Sequence, residues 1–217
     1  MSNTTQPNST RPTVTRLHRH ALSGHAHRAQ LMLSLLQVPV ELVDVDLAAG
    51  EHKSPAFLAR NAFGQLPVLE IDGTVLADSN AILVYLAATR DPQRQWWPED
   101  ARTQAEVQRW LSAAAGPLAH GPAAARVAHV FKRPPNPQAH AIATGLFGVM
   151  EQHLGQQPWL AAEHATIADI ALYTYTAHAP EGGIALAPWP HIRAWLARIE
   201  ALPGFVGMQR SALPTEA

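Results

Sequence analysis

The chain has 217 residues, 47% of them hydrophobic, enough to bury a sizeable core in one domain or two small ones. A formal charge of -1 gives no basic footprint for phosphate backbones or anionic lipid, so neither nucleic acid nor a membrane surface is an expected partner. Cysteine is absent, which removes disulfides, thiolate metal ligands and any reaction with a protein thiol as nucleophile.

Residues 1–12, MSNTTQPNSTRP, are polar and without periodicity; they read as a disordered arm, and they lack the basic and apolar regions of a signal peptide. The longest apolar stretches, such as AILVYLAA, are too short to cross a bilayer, so the expected location is the cytoplasm. Thr13 to Leu17 suit an extended strand. Ala29, Met32, Leu33 and Leu36 then fall at helical spacing, and this first helix ends before Pro39. PVELVDVDL, ending at Leu47, alternates apolar and acidic residues with the period of a strand. A strand, helix, strand unit of this length favours a parallel pair with a right-handed crossover.

SPAFLARN reads as a short helix, with Ser54 as cap and Pro55 in the first turn, where a missing N–H costs nothing. PVLEIDGTVLA is a hairpin signal: two apolar strands flank Asp72 and Gly73, a pair that accepts the positive φ of a tight turn. Asp78 and Ser79 open the apolar helix NAILVYLAA, giving the order βαβαββα, which describes a thioredoxin-like domain. The expected organisation is therefore α/β followed by all-α. The thioredoxin-like domain covers 13–90, a linker rich in proline and tryptophan covers 91–99, and an all-helical domain covers 100–217. Helices are predicted over 100–115, 137–154, 166–178 and 190–201. Gly116, Pro117, Gly121 and Pro122 interrupt the stretch after the first, and KRPPNPQ reads as an exposed loop.

Twelve histidines make metal binding a question to ask, since His18 and His20 would share one face of a strand and His25 and His27 follow soon after. The offset of His25 and His27 does not place them on one helical face, and no acidic third ligand is nearby, so no metal is expected. Thr166 and Asp169 have the spacing of a capping box, a fold signal with no chemistry assigned to it.

SGHAHRA, GEHKSPAFLARNAFGQLPVL, LADSNAILVYLA and TIADIALY, in this order, carry a resemblance to the cytosolic glutathione transferases of the serine type, theta- and phi-like, from about Val14 to Met208. The resemblance implies a transferase that binds glutathione as co-substrate and activates its thiol for attack on small hydrophobic electrophiles. It places Ser23 as the catalytic hydroxyl, although bacterial relatives usually read SGNS where this chain has His25 and Ala26. It implies a cis bond from Leu66 to Pro67, leaving the Leu66 backbone to pair with the cysteinyl unit of glutathione.

Asp78 and Ser79, which from the residues alone read as a helix cap, would also hold the γ-glutamyl end at the helix N-terminus. His52 and Lys53, otherwise solvated loop residues, would face the glycyl carboxylate, with Lys53 the more useful cation at neutral pH. Gln65 would add an amide contact. Leu22, His25, Trp110 and Pro117 are the candidates for an electrophile pocket, against the alternative that a tryptophan or leucine at helical spacing is ordinary core. A homodimer through helices three and four is implied. Rival readings of the same fold are a non-catalytic glutathione-binding or protein-interaction module and a glutathione-dependent peroxidase. The lack of cysteine argues against disulfide or dehydroascorbate reduction.

Overall fold

A computed structural model describes residues 14–214; the arm over 1–12 and Thr13 lie outside the described residues. Within them the chain forms β1 (Arg16–Arg19), α1 (Gly24–Leu35), β2 (Glu41–Asp44), α2 (Pro55–Leu58), β3 (Val68–Ile71), β4 (Thr74–Ala77) and α3 (Ser79–Arg90). The helices α4 (Ala101–Ala113), α5 (Ala124–Val130), α6 (Ala139–Leu154), α7 (Ile167–Ala177) and α8 (Pro190–Glu200) follow. The four strands lie in the order β2-β1-β3-β4, with β1 and β2 parallel and the other pairs antiparallel. This is a thioredoxin-like sheet followed by an all-helical segment, the architecture expected from the pattern. β1 begins later than expected and runs to Arg19, because β2 supplies partners only from Arg16↔Glu41 to Arg19↔Asp44.

The hairpin turns on Asp72 and Gly73, whose φ values of 50° and 75° are those of the tight turn the sequence calls for. Leu17, Leu69 and Ile71 of the sheet are buried in one continuous core with Leu31 and Met32 of α1, Ile82 and Leu86 of α3, and Ile170 and Leu172 of α7. Each such side chain contributes about 1.5–3 kcal/mol relative to an exposed one. α1 packs on both α3 and α7, so the sheet-bearing and helical parts share this core.

One expectation is corrected. The glycines and prolines after α4 do not interrupt the helix: Ala114–Ala123 continues as a π-helical segment into α5, with Pro117 and Pro122 inside it. Proline has no N–H to donate and its ring crowds the turn before it, and the widened turn accommodates both rings within a continuous helix. Gly121 is required there for another reason, since a Cβ would stand 2.8 Å from the Ala143 backbone nitrogen of α6.

Candidate functional site

A cleft of about 1010 Å³ lies where the loops and helix starts of the sheet-bearing part face the π-helical segment and α5. Ser23, His25, His52, Lys53, Gln65, Leu66, Pro67, Asp78 and Ser79 all line it. Residues scattered over 57 positions of sequence thus meet on one surface, because β1 and β4 end, and β3 begins, beside two helix N-termini.

The first of these is α1. Ser23 caps it, its Oγ accepting from the Ala26 N–H at 3.2 Å, which leaves the hydroxyl hydrogen to be donated elsewhere. The next residue must be glycine: a Cβ on Gly24 would lie 2.6 Å from the Tyr175 ring. His25 follows, packed edge-on to Tyr175 at 5.0 Å with Nδ1 3.4 Å from Ser79 Oγ. Burial first, then the neighbouring Arg28 charge, lowers its pKa to about 3, so it serves as a neutral hydrogen-bonding group.

The second N-terminus is that of α3. Asp78 caps it at φ 73°, a left-handed backbone region that a non-glycine residue adopts only when its surroundings hold it there. Its Oδ1 accepts from the N–H groups of both Asn80 and Ala81 at 2.9 Å. Behind Ser79 stands Arg28, which is 1% exposed; its Nη1 donates to Ser79 Oγ at 2.9 Å and to Asn80 Oδ1 at 2.7 Å. Its Nε and Nη2 make no hydrogen bond; burial lowers its pKa to about 10 against the opposing pull of Tyr175 and Asp78, so it stays cationic. A guanidinium donating to Ser79 from behind strengthens that hydroxyl as a donor toward the cleft.

The third wall is the loop before β3. Lys53 Nζ donates to the Phe63 and Gly64 carbonyls at 3.2 and 3.1 Å, so it is anchored rather than freely solvated. Gly64, at φ 57°, gives Lys53 its room: a Cβ there would sit 2.8 Å from Nζ and from the His52 carbonyl. His52 Nδ1 is buried without a partner. Asn61 Nδ2 donates to the Gln65 carbonyl at 2.8 Å, fixing the approach to Leu66, and the Leu66–Pro67 bond is cis.

The helical wall consists of Ala115, Ala119, His120, Val127 and Arg133. Of the four candidates for an electrophile pocket, only His25 reaches the cleft, and it does so from α1. Trp110 is 2% exposed and packs edge-on to His153 at 5.1 Å, as core. Pro117 is exposed and does not line the cleft, where the same π-helical segment presents Ala115 and Ala119 instead. Leu22 does not line the cleft and presents its carbonyl to Arg126 at 2.8 Å. His18 pairs with Glu70 at 3.0 Å, and among the described residues no three His, Asp or Glu side chains form a group that would hold a metal.

Arg28, Asn61, His120 and Arg133 are among the polar site residues that the sequence does not point to. Only Arg28 left a signal, since it is a charged residue four positions from Met32 on a helix that is buried nearly all round.

Two family models match the chain: the glutathione S-transferase N-terminal domain over residues 14–88 and the glutathione S-transferase C-terminal domain over 124–203. Glutathione S-transferase theta-2 of Homo sapiens is 32% identical over 184 residues, covering 77% of this chain and 72% of that protein. Maleylacetoacetate isomerase of Pseudomonas aeruginosa is 30% identical over 200 residues, covering 88% and 93%. The crystal structure of a glutathione S-transferase from Pseudomonas fluorescens superposes with a TM-score of 0.84 at 35% identity, covering 90% of this chain and 99% of that one.

Proposed function

This chain belongs to the glutathione S-transferase family and is a glutathione transferase, and from that premise we propose that Ser23 donates its hydroxyl hydrogen to the glutathione sulfur and holds it as a thiolate. The observation that carries this reading is that Ser23 and the start of α1 face the same cleft as Asp78, Ser79 and Lys53. A free thiol titrates near 8.5, and lowering that by about two units corresponds to about 2.7 kcal/mol. One hydroxyl donor together with a helix N-terminus is of that size.

Glutathione is read as lying with its γ-glutamyl carboxylate at the α3 N-terminus and Ser79, and its ammonium group beside Asp78. Its cysteinyl main chain pairs with Leu66, and its glycyl carboxylate faces Lys53 and His52, with Gln65 adding an amide contact. The thiol proton leaves to water. The sulfur lone pair then forms a bond to an electrophilic carbon seated against Ala115, Ala119 and Val127, and the carbon's leaving group departs or its double bond takes up a proton. Residues 13–90 would serve as the glutathione-binding domain, 91–99 as linker and 100–217 as the domain supplying the electrophile wall. The protein would act in the cytoplasm, where thiols are kept reduced. A homodimer through α3 and α4 is part of this reading, and light scattering would report the mass.

Titration of bound glutathione by thiolate absorbance, in the parent protein and Ser23→Ala, tests the core of the reading. The parent should hold the thiol well below 8.5, and Ser23→Ala should return it toward that value while kcat drops about 100-fold and glutathione still binds. An unshifted thiol in the parent protein would instead favour a glutathione-binding module. Turnover of organic peroxides far above that of aryl halides would favour the peroxidase reading.

A further inference from the structure

A second buried charge cluster lies behind the loop that carries Ser23. Arg126 of α5 is fully buried; its Nε donates to Glu181 Oε2 at 2.7 Å and its Nη1 to the Leu22 carbonyl at 2.8 Å. Glu181, 4% exposed, meets His178 Nδ1 through its other oxygen at 2.6 Å. Burial opposes ionisation of Glu181, but His178, the Ser211 backbone N–H and Arg126 together outweigh it and hold its carboxyl below the usual range. The turn bearing Glu181 is pressed on α5 so closely that a Cβ on Gly182 would stand 2.5 Å from the Arg126 backbone nitrogen.

Replacing a buried ion pair with apolar residues is often neutral or stabilising, so stability alone does not account for this one. What distinguishes it is its third partner. The peptide joining Leu22 to Ser23 is bonded at both polar ends: its carbonyl accepts from Arg126, and its N–H donates to the His20 carbonyl at 2.9 Å. The Leu22 N–H is also engaged, by His20 Nδ1 at 3.2 Å.

We propose that Arg126, held by Glu181 and His178, is a positioning residue for Ser23: by fixing the Leu22–Ser23 peptide plane it aims the Ser23 hydroxyl at the sulfur. The helical part of the chain then sets thiol activation in the sheet-bearing part through a single guanidinium. The inference rests on the reading of Ser23 as the activating hydroxyl.

The test is a cycle of four proteins: parent, Ser23→Ala, Arg126→Met/Glu181→Gln, and all three changes together, each read by thiolate titration of bound glutathione and by steady-state kinetics. The charge-free pair should lower kcat about tenfold, leave the glutathione KM within about twofold and move the thiol toward 8.5. Added to Ser23→Ala it should do nothing further, because its effect passes through that hydroxyl. An equal loss on both backgrounds, or an unmoved thiol in the charge-free pair, overturns the proposal while leaving the Ser23 reading intact. An unmoved thiol in Ser23→Ala overturns both. Should the charge-free pair fail to fold, Arg126→Lys keeps the charge and loses the planar fork; it should shift the thiol in the same direction, and a parent-like titration in it overturns the proposal.

Discussion

The N-terminus of α7 and those of α1 and α3 are built from the same side-chain chemistry and left in opposite states. At α7, Asp169 is fully buried and accepts four hydrogen bonds, from the N–H groups of Leu160 and Thr166, the Thr166 hydroxyl and the Trp195 indole. Burial pushes its carboxyl up against the bonds that favour the anion, and every group there has a partner inside the protein. At α1 and α3 the caps are Ser23 and Asp78, the cleft runs past both, and Arg28 keeps two donor nitrogens unbonded. A sealed helix start holds a fold together, and an open one can hold a ligand, with the difference set by what packs over it.

The contrast can be broken hardest at its sealed end. Asp169→Ala strands two backbone N–H groups and an indole N–H in the core, and should cost about 4 kcal/mol, read as a drop in the urea midpoint with an unchanged slope.

Acid should act next, through His27. It is 3% exposed, bonds Thr174 Oγ1 and the Val206 carbonyl at 2.9 Å, and burial above all lowers its pKa to about 4. The unfolded chain takes up this proton near 6.5 and the folded one only near 4, so protonation favours unfolding as pH falls between those values. The loss should reach about 3 kcal/mol by pH 4, and in His27→Gln the slope of stability against pH over that window should flatten.

At the open end the balance reverses. Asp78→Asn keeps a good cap that tolerates positive φ and removes only the charge, so the melting temperature should hold within about 2 °C while the glutathione KM rises about tenfold. Equal damage to stability and to KM would mean that α3 is a sealed end after all. The smallest effect belongs to Ser23→Ala measured as stability: a lost cap on α1 should cost about 1 kcal/mol, far less than Asp169→Ala.

Much of the fold was legible in advance because it is written in local chemistry. Asp72 and Gly73 specify a tight turn, Thr166 and Asp169 a capped helix, and the alternation before Leu47 a strand, whatever the rest of the chain does. The residues proposed to face glutathione are named through a resemblance to a family, and the structure brings Ser23, His52, Lys53, Gln65, Leu66, Pro67, Asp78 and Ser79 to one cleft. The helical wall of that cleft is not legible in the same way. Residue type and position point to Trp110 and Pro117, but the π-helical segment presents Ala115 and Ala119 to the cleft, and a widened turn leaves no periodic trace in sequence.

The sequence by itself determined the order of elements in the sheet-bearing part, where the helices other than α5 begin and the absence of a protein thiol, because capping, turn geometry and hydrophobic period act between residues near one another in the chain. Only the tertiary structure decided which helix starts are open, that Arg28 stands behind Ser79, and that Arg126 reaches the Leu22 carbonyl across 104 positions. Those facts depend on how α1, α3, α5 and α7 pack, and packing joins residues by shape and charge without regard to their separation in sequence.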